Sequence, residues 1–333
     1  MKLYEYQAKE IFSEAGIDVP VSELIESDKR DLTGISDKIG YPLILKSQLL
    51  QGGRGKAGLV KMASSQDEAE QILQDFSRRG VGKVLVEKAV RIKKELYLSI
   101  TAEPVSGKAL IMASSEGGVD IEDLASRSPE KIVKEEVDIE RGLMPYQARD
   151  TAFRISTGAA TELSKLIQSL FRIFRKYDAE LVEINPVFIT EEGHVVAGDG
   201  KMSIDDNSAF RQPAFVPGRD YYSSDAEYEA ALEGIPYLQF DGDISLMCAG
   251  AGLTTTVYDL INYEGGSVAN YLEFGGPNYR KAGTAMQLCL KNDSKVILIV
   301  TFGTIARADV MAQGVADAIA ELKPDRPIVV CIR

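Results

Sequence analysis

Histidine is nearly absent from this chain. Among 333 residues there is one, His194. It follows Glu191, Glu192 and Gly193 in EEGHVV, between two apolar, β-like runs. That is the pattern of a hairpin tip with an exposed imidazole, so a histidine zinc site or a histidine-based triad has almost nothing to work with. Cysteine is scarce as well. Cys248, Cys289 and Cys331 are far apart and form no C-x-x-C pair. They are expected as reduced core thiols, and the compartment as cytoplasmic. No apolar run approaches the roughly 18 residues of a membrane span. The opening MKLYEYQAKEIF reads as an amphipathic helix start, because Glu5 and Glu10 interrupt what a signal peptide keeps apolar. Positive charge is in deficit: 38 Lys and Arg against 50 Asp and Glu leave −12, with a pI near 4.8. Such a chain is a poor general binder of nucleic acid or membrane surfaces, and neither is expected as a partner. Local basic clusters can still serve phosphates.

What is present is a globular composition, 45% hydrophobic and 26% charged, with length for two or three domains. Leu3 to Ala15 reads as a helix stopped by Gly16. Residues 28–40 read as helical, ending at Gly40. YPLILKSQ and LVKMAS are strands on either side of QGGRGKAG. Ser65 and Glu68 form a capping box before QILQDFSRRG. KVLVEKAV, ELYLSITAEP and ALIMASSEGG are further strands, the last two separated by VSGK. Residues 148–177 are densely helical, with apolar Phe153, Ile155, Leu163, Ile167, Leu170 and Phe174. AELVEINPVFIT and HVVAGDGKMSID then form a hairpin. Residues 208–235, rich in Pro, Ser, Tyr and acids, mark a boundary. Beyond it DISLMC, SVANYLEF, KVILIVTF and PIVVCI are short strands, each but the last followed by glycine and a helix. That alternation predicts an open parallel α/β sheet. The chain stops directly after a strand, as a truncated polypeptide would.

The stretch QGGRGKAGLV matches G-x-G-x-x-G literally and contains Gly-Lys. A P-loop needs glycine at position 50 and Ser or Thr at 57; Leu50 and Ala57 stand there. A dinucleotide fingerprint needs a helix after the glycines, and a strand follows instead. Two readings stay open: a solvent-exposed basic turn, or a glycine-rich hairpin whose backbone N–H groups and cations fold over a phosphate chain. Lys46, just before the loop, is placed to reach such phosphates.

Acids embedded in strands favour the second. Glu87 lies inside VLVEKAV, and Glu95 follows at an even spacing that puts both on one face if the strand runs on. Carboxylates there can accept hydrogen bonds from an adenine amino group or a ribose. Glu183 and Asn185 alternate along LVEIN, and Asp199 sits in AGDGK. If those strands pair, Asn185 and Asp199 converge as oxygen donors of the kind Mg²⁺ takes alongside water and phosphate.

Taken in order, MKLYEYQAKEIF, LKSQLLQGGRGKAGLVK, VEKAVRIKKELYLSI, MASSEGGVDIEDLA, MPYQARDTAF, LVEINPVFIT, DGKMSIDDNSAFR and GAGL resemble the β subunit of succinyl-CoA synthetase, an ATP-grasp enzyme. The resemblance runs over nearly the whole chain. It implies an α/β protein: an α+β ATP-grasp fold followed by a flavodoxin- or Rossmann-like open parallel sheet. Residues 21–90 would be the small ATP-grasp subdomain, 1–20 with 91–225 the large one, and 240–333 the CoA-ligase-type domain, cut short of the family's tail. Lys46, Gly53, Arg54, Gly55, Glu87, Val90 and Glu95 fall on its nucleotide positions, and Asn185 and Asp199 on its Mg²⁺ positions. Pro20 fits the adenine-preferring branch, so the implied nucleotide is ATP/ADP.

By the same resemblance the reaction joins ATP, a short dicarboxylate and CoA to give acyl-CoA, ADP and phosphate through a phosphohistidine. That histidine and most of the CoA site belong to a partner α subunit, in a heterodimer or heterotetramer. Glu183 matches an acid that helps receive the histidine loop. The acid positions are Ala249, Gly303, Thr304 and Ile305, and here the chain departs from the succinate pattern. Ala249 replaces an Asn, Thr304 replaces a Gly, and ANYLEFGGPN leans towards citrate-activating enzymes. A carboxylate is expected to meet helix N-termini after GAG and FGT. Succinate, malate, citrate or another short acid remains open as substrate, and so does a nucleotide-binding, non-catalytic subunit. An NAD-dependent oxidoreductase would rest only on the accidental glycine match and the last domain's fold, and it lacks a catalytic histidine.

Overall fold

The computed structural model describes residues 1–28, 32–50, 53–304 and 306–333. They fall into two compact units, Met1–Val216 and Pro217–Arg333.

The first unit opens with α1 (Glu5–Glu14), whose entry is fixed by Gln7 accepting from the Tyr4 N–H. Its buried stripe is Glu5, Ala8, Lys9 and Phe12, the helical i, i+3, i+4, i+7 face, with two charges on it. An antiparallel sheet follows from β1 (Ser22–Glu26), β2 (Leu43–Ser47), β3 (Val60–Ala63) and β4 (Lys83–Lys88), ordered β1-β4-β2-β3. It is backed by α2 (Thr33–Ile39) and α3 (Gln66–Arg78). Ser65 caps α3 by accepting from Glu68 N, and the core holds Leu43, Leu45, Leu73, Phe76 and Val84. β2 and β3 pair from Leu43↔Ala63 to Lys46↔Val60, so the glycine-rich stretch does connect a hairpin.

The second sheet contains β5 (Ile92–Glu103), β6 (Lys108–Ser114), β7 (Ile132–Val137), β8 (Ala179–Thr190), β9 (Val195–Ala197) and β10 (Lys201–Ile204). Its order is β10-β8-β5-β6-β7, with β9 also on β8. The chain between these strands adds α4 (Ile121–Arg127), α5 (Pro145–Ile155) and α6 (Ala160–Lys176). Phe12 of α1 shares the core with Leu98, Ile100, Ile167, Leu170, Phe174 and Val182. Two sequence readings are corrected here. The helical region is two helices, broken at Ser156–Ala159, and Phe153 is 61% exposed instead of packed. Glu87 and Glu95 are not on one running strand: the chain leaves β4 after Lys88 and enters a different sheet at Ile92, so the even spacing has no meaning.

The second unit has α7 (Asp225–Leu232), β11 (Tyr237–Gln239), β12 (Ile244–Cys248), α8 (Ala251–Tyr263), β13 (Val268–Leu272), α9 (Ala282–Cys289), β14 (Val296–Thr301), α10 (Ala308–Leu322) and β15 (Ile328–Ile332). The order β11-β13-β12-β14-β15 is parallel except at β11. Both faces are covered, one by α8 and the other by α9 and α10. Cys248 and Cys289 are buried free thiols, but Cys331 on β15 is exposed, which corrects its reading as a core residue. Among the described residues no helix is long and apolar enough to cross a membrane.

Candidate functional site

In the first unit, α1, the β2–β3 hairpin and the end of β9 converge. β9 and β10 are joined by Gly198, Asp199 and Gly200. A Cβ on Gly198 would lie 2.4 Å from the Phe188 ring and 2.8 Å from the Pro186 carbonyl; one on Gly200 would lie 2.8 Å from Phe12. Only glycine lets the chain pass so close on both sides, and between them Asp199 lines a cleft of about 510 Å³. The same cleft is lined by Gly53, Arg54, Gly55 and Lys56 of the hairpin, by Gly118 to Glu122, and by Glu183, Asn185 and Lys201.

Behind it lies a charged cluster. Arg54 Nη2 donates to both carboxylate oxygens of Asp199 at 2.9 Å. Its Nη1 donates to Glu5 Oε2 at 2.6 Å and to the Ser47 carbonyl at 2.9 Å. Lys46 Nζ donates to Glu5 Oε1 at 2.9 Å and to the Gly198 carbonyl at 2.6 Å, and pairs with Glu87 Oε2 at 2.7 Å. Lys9 bonds the same Gly198 carbonyl at 2.9 Å and pairs with Glu5 and Glu87. Three cations and three carboxylates therefore neutralise one another, as buried charges must. Burial alone would raise Glu5, but Lys9, Lys46 and Arg54 outweigh it and hold the carboxyl well below its usual range. Burial opposes the charge on Lys46 and Arg54 too, and their carboxylate partners overcome it and raise both. For Asp199, burial first and Glu5 second lift the carboxyl above its ordinary value, against the pull of Arg54.

Along β8, Glu183 stands opposite Lys201 of β10 and accepts from the buried Tyr97 hydroxyl at 3.2 Å. Burial pushes the Glu183 carboxyl up. Asn185 clamps the 117–119 loop: its Oδ1 accepts from Gly118 N and its Nδ2 donates to the Val119 carbonyl, both at 2.9 Å. Gly118 has φ +68°, and a Cβ there would meet Glu95 Oε2 at 2.1 Å. Glu95 is thus half-buried against that loop, where burial raises its carboxyl.

The sequence-predicted residues divide accordingly. Gly53, Arg54, Gly55, Glu183, Asn185 and Asp199 share the cleft. Lys46 and Glu87 sit in the ion cluster behind it, tied to Arg54 through Glu5. Val90, half-buried in the link from β4 to β5, and Glu95 join neither in the contacts described. Glu5 and Lys9 were missed. The available signal was their place on the apolar stripe of α1, beside Ala8 and Phe12.

In the second unit Ala249 directly follows β12, half-buried, with its N–H on the Val300 carbonyl. Gly250 N, at the head of α8, donates to Glu273 Oε1 at 2.8 Å, so a carboxylate of the chain itself holds that donor. Gly303 and Thr304 are exposed, with Gly303 N on the Arg333 carbonyl at 2.6 Å and Thr304 N on Ala306. The helix after FGT is α10, which starts at Ala308, and Arg307 beside it pairs with Asp309 of its first turn. Ile305 lies outside the described residues.

The chemistry of the cleft suits a phosphate chain and a hard cation. Gly53, Arg54 and Gly55 of the hairpin line it together with Asn185 and Asp199. Among the described residues there is no cluster of three or more His, Cys, Asp or Glu to hold a metal alone. A cation there would need oxygens from its ligand, as Mg²⁺ takes them.

Comparison with known proteins gives the family. An ATP-grasp domain model matches residues 2–189, and a CoA-ligase model matches residues 247–333. The ADP-forming sulfoacetate–CoA ligase subunit SqwK of Acholeplasma is 57% identical over 337 residues, covering 100% of this chain and 84% of that protein. Subunit SauC of Bilophila wadsworthia is 53% identical, covering 100% and 90%. The ADP-forming succinate–CoA ligase β subunit of Ignicoccus hospitalis is 41% identical, covering 99% and 89%. ATP citrate lyase of Methanothrix soehngenii superimposes with a TM-score of 0.75 at 22% identity over 99% of this chain and 89% of that one, a likeness of fold. Fold, cleft and matches together define an ATP-grasp domain joined to a CoA-ligase domain. The chain belongs to the ADP-forming acid–CoA ligases of the succinate–CoA ligase β type.

Proposed function

We propose that this chain is the nucleotide- and acid-binding subunit of a cytoplasmic sulfoacetate–CoA ligase, working with an α subunit that carries CoA and a phosphohistidine. The overall reaction is sulfoacetate, CoA and ATP giving sulfoacetyl-CoA, ADP and phosphate. The carboxylate becomes the thioester and the sulfonate keeps its charge. The observation that carries this reading is the match over all of the chain to two subunits named for sulfoacetate, at 57% and 53% identity against 41% for the succinate relative. The departures at Ala249 and Thr304 from the succinate pattern favour the same side.

In this reading ATP sits between a small subdomain, 21–90, and a large one formed by 1–20 and 91–225. Gly53, Arg54 and Gly55 cover the phosphates, Lys46 supplies charge behind them, and Glu87, Val90 and Glu95 serve the nucleoside. Asn185 and Asp199 would hold Mg²⁺, whose charge would offset that of the β- and γ-phosphate oxygens. Glu183, with Tyr97 and Lys201 about it, receives the partner's histidine loop; His194, on an exposed turn away from the cleft lining, is not the phosphorylated histidine of this reading. Ala249, Gly303, Thr304 and Ile305 form the acid loops.

The test is ADP release by the chain with its α subunit, CoA and a panel of sulfoacetate, succinate, malate and citrate. Sulfoacetate is expected to exceed succinate in kcat/KM by about tenfold or more, the scale of one lost or gained polar contact. Preferred turnover of another acid would overturn the substrate, and no turnover with any acid would favour a non-catalytic nucleotide-binding subunit.

A further inference from the structure

One contact in the cleft bears on the order in which ligands arrive. Arg54 occupies both oxygens of Asp199, and the Gly200 N–H adds a further bond at 2.7 Å to Oδ1. The same guanidinium reaches Glu5, which also holds Lys46 and Lys9. Arg54 therefore has two places to put its charge, one shared with the buried cluster and one on Asp199. Its side chain is 10% exposed and that of Asp199 33%, so water and salt screen the pair only in part.

We propose that Arg54 is an internal competitor for the divalent cation at Asp199, so that the cation binds well only once a nucleotide polyphosphate has drawn the guanidinium away. This rests on the reading of Asp199 as a metal position. A phosphate chain is a better partner for Arg54 than one carboxylate, since it offers more anionic oxygens in a bidentate geometry. Moving Arg54 onto the phosphates uncovers Asp199 beside those same phosphates. Cation and nucleotide then bind synergistically, and a free cation does not occupy the cleft alone. Glu5 keeps its hold on Lys46 and Lys9 throughout, so the buried cluster need not rearrange.

The experiment measures Mn²⁺ binding by the loss of its free-ion electron paramagnetic resonance signal, with and without ADP. Arg54→Ala, Arg54→Lys and Asp199→Asn are compared, each checked by thermal melting for a folded state. The wild-type chain should bind Mn²⁺ about tenfold or more tightly with ADP than without, matching a charge-assisted pair. Arg54→Ala should bind Mn²⁺ without nucleotide about tenfold more tightly than wild type, while binding ADP less well. Arg54→Lys, a point charge that cannot cover both oxygens, should fall between. Arg54→Ala that binds Mn²⁺ no better than wild type would overturn the competition while leaving the metal position standing. Asp199→Asn that leaves Mn²⁺ binding unchanged in the presence of ADP would overturn the metal position, and the competition with it.

Discussion

The two units bury polar groups in different ways. In the first, Glu5, Lys9, Lys46, Glu87, Arg54 and Asp199 form a network of charges at one meeting point of three elements. In the second, the buried polar centre is neutral. Asn270 accepts from Ser245 and Asn292 and donates to the Leu246 carbonyl at 2.9 Å, pinning β12 and β13. A neutral network is enough to fix strand register. Buried charge is a poor way to gain stability, because desolvation offsets most of the attraction. Where a fold keeps six charges together, the reason is better sought in a ligand. In the proposed function that ligand is a phosphate chain, which would take Arg54 while Lys46 and Lys9 stay paired with Glu5.

That contrast can be broken most severely at Glu87, 1% exposed. Glu87→Ala leaves three cations against two carboxylates and is expected to destabilise the first unit by about 3–5 kcal/mol. Urea unfolding of the full chain measures it; a loss below about 1 kcal/mol would mean that the cluster is not energetically coupled. The matching change in the second unit, Asn270→Ala, removes the neutral bonds to Ser245, Leu246, Asn292 and Cys289 and should cost about 1–3 kcal/mol by the same measurement. If it costs more than Glu87→Ala, the contrast fails. Gly118→Ala is smaller still. It forces a side chain into φ +68° beside Glu95 and should cost about 1 kcal/mol, with the 117–119 loop loosened from Asn185. A drop in melting temperature with faster proteolysis at that loop is the expected result. The least effect is chemical. Burial raises the Cys248 thiol to about 12 and the Cys289 thiol to about 11, whereas Cys331 is exposed. A thiol-reactive dye at neutral pH should therefore label Cys331 alone in the folded chain, and all three after unfolding.

Much of this architecture was legible, for identifiable reasons. A strand after QGGRGKAG, instead of a helix, turned an apparent dinucleotide fingerprint into a hairpin, and β3 is that strand. The strand–glycine–helix alternation after residue 240 announced the parallel sheet. The pairing of β8 with β9 and β10 brings Asn185 and Asp199 to one cleft, as the alternation in LVEIN and AGDGK suggested.

What stayed hidden depended on tertiary placement. Glu5 and Lys9 at i, i+4 look like a solvated surface pair in sequence. Their burial follows only once α1 lies against the hairpin and Gly198. The link Ala89–Arg91 carries the chain from one sheet to another, which periodicity does not register, so Glu87 and Glu95 looked aligned. Phe153 carries an apolar side chain on a helix whose buried positions are Ala148, Thr151, Ala152 and Ile155, and it faces outwards. Cys331 has the local sequence of a core strand but lies on the edge strand β15.

The claim on which the rest depends is that the cleft between the hairpin and Asp199 holds the phosphates of ATP. Titration calorimetry of ATP with Mg²⁺ into the wild-type chain and Arg54→Ala tests it directly. A loss of about tenfold to a hundredfold in affinity is expected, the scale of hydrogen bonds to a charged group. An unchanged dissociation constant, in a variant that melts like the wild type, would contradict it.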